Sequence, residues 1–302
     1  INYTEYVQKH SVCDAKGSYT LAFDFLKPES IYTIYVLAYD ENGLPTGLKS
    51  LTCSTGAVAD DPFTVTTTHV GTTTLKYNVT AKDASVKYCT FATGYDYYQR
   101  WQLEEGTNGD VIKHFISMWS TFASWYGENW QTMMKYDRRE GTYEGDGYHL
   151  MWDARQVVIT FGMDDDGNLV TPIQVDSIHT NAPTPVDMDI PVTVLSNEWG
   201  DQQIKAAPTT NTPYFITMQP AAYVDLYKTD AALLRALCYE ADNINPTDLA
   251  RTRDEDLRDG LWEFRVRKDV DTDYYIIAVG LDEGAPATRA FKTKITVPGG
   301  SF

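Results

Sequence analysis

One segment occurs three times in the chain and limits what it can fold into. Ile31-Tyr32-Thr33-Ile34-Tyr35-Val36-Leu37-Ala38-Tyr39-Asp40-Glu41-Asn42-Gly43 is matched by Gln156-Val157-Val158-Ile159-Thr160-Phe161-Gly162-Met163-Asp164-Asp165-Asp166-Gly167. It is matched again by Tyr274-Tyr275-Ile276-Ile277-Ala278-Val279-Gly280-Leu281-Asp282-Glu283-Gly284. Each copy is a run of β-branched and aromatic residues, which suits a pleated strand. Each then has a small residue two before an Asp and an acidic turn closed by Gly, a residue that accepts the positive φ of a tight hairpin. Asp40, Asp164 and Asp282 stand 124 and 118 residues apart, and a second strand follows each turn at 49–55, 169–178 and 290–297. A repeat of that length is a domain, so the 302 residues are a tandem array.

The second and third copies extend backward in parallel. Runs at 63–69, 75–80 and 86–91 predict three strands, matched by 190–196, 203–206 and 214–218. Both copies then turn helical. Val111, Phe115, Met118, Phe122 and Trp125 fall at steps of three and four, the mark of an amphipathic helix, and Gly127 ends it. On that stripe Phe115, Phe122 and Trp125 are expected in the core. Leu233, Leu234, Leu237 and Cys238 make a shorter stripe in the third copy. A second short helix is expected after Asn129 and Asn245, each placed as an N-cap, with Pro246 at the first helical position. Asn2-Tyr3-Thr4-Glu5 carries the same signal, so residues 1–56 read as the back half of a module, a helix and three strands at about 19–25, 31–39 and 49–55. The modules then span 63–180, with a helical insertion at about 95–145, and 188–302, with a shorter one at about 221–258. Polar, Pro-bearing linkers at 56–62 and 181–189 separate them. Seven or so short strands per module joined by hairpins predict a mainly β fold of tandem β-sandwiches, with a two-helix insertion in each module.

Chemistry is scarce. Forty-two acidic against 25 basic residues leave a net charge of −17, which repels phosphate backbones and anionic lipid, so nucleic acid is excluded as a partner. No window of 18 apolar residues spans a membrane. Five His residues (His10, His69, His114, His149, His179) are scattered, and no metalloprotease, nucleophile-elbow or phosphate-loop motif occurs. The paired carboxylates that glycoside hydrolysis needs would have to come from Glu104, Glu105, Asp110 and Glu128, which read as a solvated acidic surface. No catalytic residue is assigned. Cys89 and Cys238 lie on apolar runs and read as buried thiols, and Cys13–Cys53 is the one disulfide weighed.

Two sets of residues are candidate sites. Twelve Tyr and Trp residues lie between 95 and 152, and Tyr97, Tyr98, Trp101 and Trp130 fall off the helix stripe. Exposed rings of this kind stack on sugars or anchor protein partners. The second set is Asp60, Asp61, Asp187 and Asp189 at the linkers, where calcium is a secondary expectation, read out as a higher melting temperature in millimolar calcium. The triple Asp164-Asp165-Asp166 is read as hairpin chemistry, because Gly162 stands where a calcium loop needs its first Asp.

The segments Tyr32 to Gly43 and its counterparts, with Phe63-Thr64-Val65-Thr66 leading to Val86-Lys87-Tyr88, resemble the fibronectin type III-like, immunoglobulin-fold repeats of surface lipoproteins in Bacteroidetes. The resemblance covers nearly the whole chain as one partial and two whole modules. It implies a non-enzymatic protein of the cell surface, attached to the outer membrane or secreted, that binds a glycan or protein through tandem modules. Such modules serve adhesion and pure spacing alike, so the alternative expectation is a structural or assembly subunit of a larger envelope complex. The insertion helices depart from the ordinary fibronectin type III domain. The family's lipoprotein signal and anchoring Cys are not in the chain, so the surface location, and with it a lipid anchor upstream of residue 1, is what the resemblance alone implies.

Overall fold

A computed structural model describes residues 17, 23, 30–42, 44–56, 61–103, 111–240, 245–256 and 258–300. They form two compact units: Ile1–Thr66, Asn78–Gly145 and Val157–Ser177, then Thr67–Tyr77, Asp146–Gln156 and Ile178–Phe302. The expected helix at Asn2 and the strand at 19–25 lie outside the described residues apart from Phe23.

The first repeat is a hairpin, β1 (Ile31–Tyr39) and β2 (Pro45–Ser54), paired antiparallel from Ile31↔Ser54 to Ala38↔Gly47. At its tip Asp40 accepts hydrogen bonds from the backbone amides of Asn42 (2.9 Å) and Leu44 (2.8 Å). Asp164 does the same for Asp166 (3.0 Å) and Asn168 (2.8 Å), and the Asn168 side-chain amide (2.9 Å), together with these backbone bonds, holds its carboxyl below the usual range. The repeated acidic turn is therefore an Asp-capped loop, and hairpin chemistry accounts for the Asp164–Asp166 run. The third copy solves the turn differently. Glu283 (φ 46°) and Gly284 (φ 84°) form a two-residue loop with both φ positive.

The second repeat contributes β3 (Phe63–Val70), β4 (Leu75–Ala81), β5 (Tyr88–Gly94), β6 (Thr142–Gly147), β7 (Arg155–Gly162) and β8 (Gln174–His179). One sheet takes β3-β4-β6 and the other β5-β7-β8, so the first, second and fourth strands face the third, fifth and sixth. The third repeat copies this order: β9 (Val192–Glu198), β10 (Asp201–Ala206) and β12 (Leu261–Phe264) form one sheet. β11 (Tyr214–Pro220), β13 (Thr272–Asp282) and β15 (Phe291–Val297) form the other, with the two-residue β14 (Ala285–Pro286) extending β13. The chain is mainly β and built of two-sheet antiparallel sandwiches.

In both repeats the crossing from third to fourth strand carries the helices. The second repeat has three rather than two: α1 (Tyr95–Leu103), α2 (Val111–Tyr126) and α3 (Trp130–Asp137). Aromatic residues are indifferent helix formers, which hid α1 in the Tyr-rich run; Asp96 in its first turn and an Asp96–Arg100 pair at 3.5 Å support it. The third repeat has α4 (Ala221–Val224), α5 (Asp230–Arg235) running into a π-turn (Ala236–Glu240), and α6 (Pro246–Leu249). The N-caps are as expected: Asn129 accepts from the Thr132 amide at 2.9 Å and Asn245 from the Thr247 amide at 3.1 Å.

Each unit has its own core. In the first, Phe115, Trp119 and Met134 of the helices pack with Cys89, Ile159 and Phe161 of β5 and β7. In the second, Leu233, Leu237 and Cys238 pack with Phe215, Ile276 and Ile277. Full burial of such side chains contributes about 1.5–3 kcal/mol each. Burial pushes the Cys89 and Cys238 thiols up to about 12, so neither is a thiolate at neutral pH. Cys53 is exposed and free, and Cys13 lies outside the described residues.

A further correspondence is visible only in three dimensions. Tyr88 exchanges both backbone hydrogen bonds with Arg139 (3.0 and 2.7 Å), and Tyr214 does so with Arg251 (2.9 and 2.8 Å). Each arginine then lies over a ring of the fourth strand, Arg139 over Tyr143 at 4.7 Å and Arg251 over Trp262 at 3.8 Å. The start of the third strand is thus clipped to the chain leaving the insertion.

Candidate functional site

Inside α2 the buried line runs Ile112, Phe115, Trp119 and Ala123. It lies round the helix from the line through Met118, Phe122 and Trp125 that the periodicity picked out. Phe122 and Trp125, expected in the core, are instead 41% and 67% exposed, and Tyr126 is 72% exposed. Their partners explain the rotation. Phe115 packs on Phe91 (4.3 Å) and Phe161 (5.3 Å) of the sheet, while Trp119 donates its Nε1 hydrogen to Asp137 at 2.6 Å. An indole with a matching acceptor can be buried, so Trp119 takes the inward face that Phe122 and Trp125 were expected to fill. The small residue at 123 was the available sign, because it lets the helix approach where a larger side chain would hold it off.

The four rings singled out from the sequence are placed differently from one another. Tyr98 is 3% exposed and part of the first unit's core, against Tyr95 at 6.2 Å; as placed, its ring does not meet solvent. Trp101 is half-buried and stacks on His114, rings 4.1 Å apart and 13° from parallel. Trp130 is half-buried, stacks on Trp119 at 6.3 Å, and covers Gly167, where an added Cβ would meet the ring at 2.2 Å. Tyr97 is half-buried with the Arg100 guanidinium 4.2 Å over its ring. These rings hold the insertion together. Arg138, whose side chain is mostly buried, pairs with Asp165 and donates to the Met163 carbonyl at 3.2 Å, fastening α3 to the acidic turn.

Three exposed aromatic residues thus gather on the last turns of α2, while Tyr136 and Tyr148 are exposed elsewhere. Phe122 and Trp125 meet edge to face at 5.2 Å, 82° apart. No charged side chain occurs from His114 to Gly127. The hydroxyls nearby are turned inward: Ser120 donates to the Ile116 carbonyl (2.7 Å), Thr121 to Ser117 (3.0 Å) and Ser124 to Thr121 (2.7 Å). On a chain of net charge −17, this is an uncharged, aromatic surface whose serine and threonine hydroxyls are bonded to helix carbonyls.

Among the linker carboxylates, Asp60 lies outside the described residues, while Asp61, Asp187 and Asp189 are exposed. Asp189 stands 4.0 Å from Arg289. Among the described residues no three His, Cys, Asp or Glu side chains gather as a metal site requires. Glu104, Glu105 and Asp110 fall outside the described residues, and Glu128 is exposed. No described helix is long and apolar enough to cross a membrane.

Among the described residues Asp176 is the one carboxyl whose surroundings raise its pKa, first by burial and then by the charge of Asp61, against a lowering hydrogen bond from Gln174 at 2.8 Å. The folded protein therefore holds that proton more tightly than the unfolded chain. Its stabilising contribution is present below the ordinary value of 3.8 and is lost as pH rises through the folded value. Asp176→Asn is expected to melt above the parent at pH 7 and together with it below pH 3.8, in paired thermal melts. A lower melt at pH 7 contradicts this.

No family model matches the chain, and no curated protein matches it in sequence. Solved structures similar to it include the FN1–FN3 domains of chicken CNTN1, 12% identical, with 90% of this chain and 79% of that chain covered at a TM-score of 0.25. A two fibronectin type-III domain segment from chicken tenascin is 7% identical, with 78% and 99% covered at a TM-score of 0.24. At such TM-scores neither likeness bears on the fold, which rests on the strand order.

Proposed function

We propose that the chain is a non-enzymatic binding or adhesion protein of the cell surface or extracellular space, whose sandwiches present the end of α2 to a protein partner. The observation that carries this reading is the exposed Phe122–Trp125–Tyr126 surface on a helix anchored from behind by Phe115 and Trp119. Buried interface centres are rich in aromatic residues and poor in charge, and a few large rings supply most of the affinity. A sugar is the less suited partner. Its many hydroxyls need several donors and acceptors, and with the Ser120, Thr121 and Ser124 hydrogens given to the helix the patch offers chiefly the Trp125 indole N–H and the Tyr126 hydroxyl. Tyr97, Trp101 and Trp130 remain in the proposal as secondary contacts with part of their surface open.

One observation favours the assembly reading as a second choice. The β1–β2 hairpin exposes Ile31 (77%), Val36 (63%) and Leu51 (65%), apolar area that a neighbouring chain would cover.

Screening the labelled chain against arrays of extracellular proteins and of glycans tests both. Loss of a hot-spot ring weakens binding by about 2 kcal/mol or more, roughly thirtyfold. Every specific hit is expected to weaken by that factor in Trp125→Ala and in Phe122→Ala. Hits indifferent to both but lost in Leu51→Asp favour the assembly reading, and glycan hits that depend on Trp125 replace the protein partner with a sugar.

A further inference from the structure

We infer that an open cavity in the second unit binds a small molecule with an aromatic or aliphatic body and one anionic group. The cavity holds about 480 Å³, within the range of small-molecule sites. Met151, Trp152, Leu234 and Pro286 supply its apolar lining, and Asp230, Arg235 and Arg289 its charges.

The segment that brings Met151 and Trp152 to this cavity is held in an unfavourable shape. His149 (φ 55°) and Asp153 (φ 46°) are both left-handed, a conformation costing a non-glycine residue roughly 1–2 kcal/mol. Buried polar side chains hold it there. The Met151 carbonyl accepts from Gln156 Nε2 at 2.8 Å and from Thr180 Oγ1 at 2.6 Å, and both of those side chains are fully enclosed. The Leu150 amide donates to the Thr73 carbonyl at 2.9 Å, and the Asp153 amide to the Asn181 carbonyl at 3.0 Å. Strain that persists only because its surroundings enforce it is how proteins pre-shape a binding surface. Here the result is a thioether and an indole presented side by side in the chain.

Charge decides the ligand class. Asp230 is already neutralised by Lys292 at 2.7 Å and by the Ala290 amide at 3.2 Å, and Arg235 is paired with Glu240 at 2.8 Å. Arg289 is held by its stacking over Phe291 at 4.6 Å, and its carboxylate Asp189 is 4.0 Å away. Its guanidinium is the charge at the cavity best able to take a new partner, and it favours an anion.

The test uses 1-naphthaleneacetate and its neutral counterpart 1-naphthaleneacetamide, followed by the indole N–H resonance of Trp152, assigned with Trp152→Phe. The acid is expected to shift that resonance and to bind at least tenfold tighter than the amide. Arg289→Gln is expected to bring the acid down to the amide's affinity, and Ala232→Trp, which fills the cavity from an exposed position, to abolish both. Phe122→Ala and Trp125→Ala should leave this binding unchanged, which separates it from the partner surface. Equal affinities for acid and amide, or acid binding that survives Arg289→Gln, overturn the anionic class. A Trp152 resonance unmoved by either probe, or binding that survives Ala232→Trp, overturns the site.

Discussion

Trp119→Ala is expected to lower the stability of the first unit by about 3–5 kcal/mol, while Trp125→Ala on the same helix changes it by less than about 0.5 kcal/mol. Trp119 is among the largest fully buried side chains, stacked on Trp130 and tilted against Phe91 (6.3 Å) and Phe115 (6.0 Å). Truncating it removes its transfer energy and leaves a cavity that surrounding rings refill only in part. It also removes the indole donor at 2.6 Å from the half-buried Asp137 carboxylate. Trp125 is two-thirds exposed and touches Phe122 by an edge, so its loss removes little burial. Urea denaturation followed by far-ultraviolet circular dichroism checks the pair. Similar losses for both tryptophans would mean that α2 is rotated from the placement described here, and the partner surface would go with it. A stable Trp125→Ala that no longer binds its partner would show that its ring serves recognition.

Much of the architecture was legible because it rests on local chemistry. The hairpin turns follow from Asp, Asn and Gly at fixed places, and the helix starts at Asn129 and Asn245 from a side chain that accepts the orphan amides. The face of α2 was not legible in the same way. Periodicity finds an apolar stripe, yet eight large apolar residues in that helix compete for one inner face, and distant partners chose among them: the rings of Phe91 and Phe161 and the Asp137 carboxylate. Helix α1 was hidden because Tyr97 and Tyr98 suit a strand as well as a helix. The Tyr88–Arg139 and Tyr214–Arg251 clips join residues about forty to fifty positions apart, and no spacing rule reaches that far. The cavity was invisible for a related reason. Left-handed His149 and Asp153 carry only a weak sequence signal, since both residue types are enriched in that conformation but neither requires it.

The repeat allows a sharper test of what holds the sandwiches together. Gly141 and Gly260 each precede the fourth strand of their repeat, with similar positive φ, 66° and 76°. A Cβ on Gly141 meets nothing within 4 Å, while one on Gly260 lies 2.2 Å from the Ala206 carbonyl oxygen. Gly141→Ala should therefore cost only the left-handed conformation, about 1–2 kcal/mol. Gly260→Ala adds an overlap with backbone that no rotamer can relieve. Overpacking costs about 1–3 kcal/mol, and this contact belongs at the upper end, so the total should reach about 3–5 kcal/mol. The surroundings leave little room to yield. The Ala206 amide donates to the Gly260 carbonyl at 2.8 Å, and Lys205 pairs with Leu261 in the sheet. The Gly260 amide donates at 3.1 Å to Asp256, a mostly buried carboxylate 3.7 Å from Arg251. Moving Gly260 thus pulls on the strand pair and on the arginine that clips Tyr214 and covers Trp262. Denaturation of the two variants, each read in the transition of its own unit, gives the contact's contribution as the difference between them. Equal losses at the two glycines would show that the Ala206 contact relaxes without penalty and that the positive φ alone selects glycine before the fourth strand.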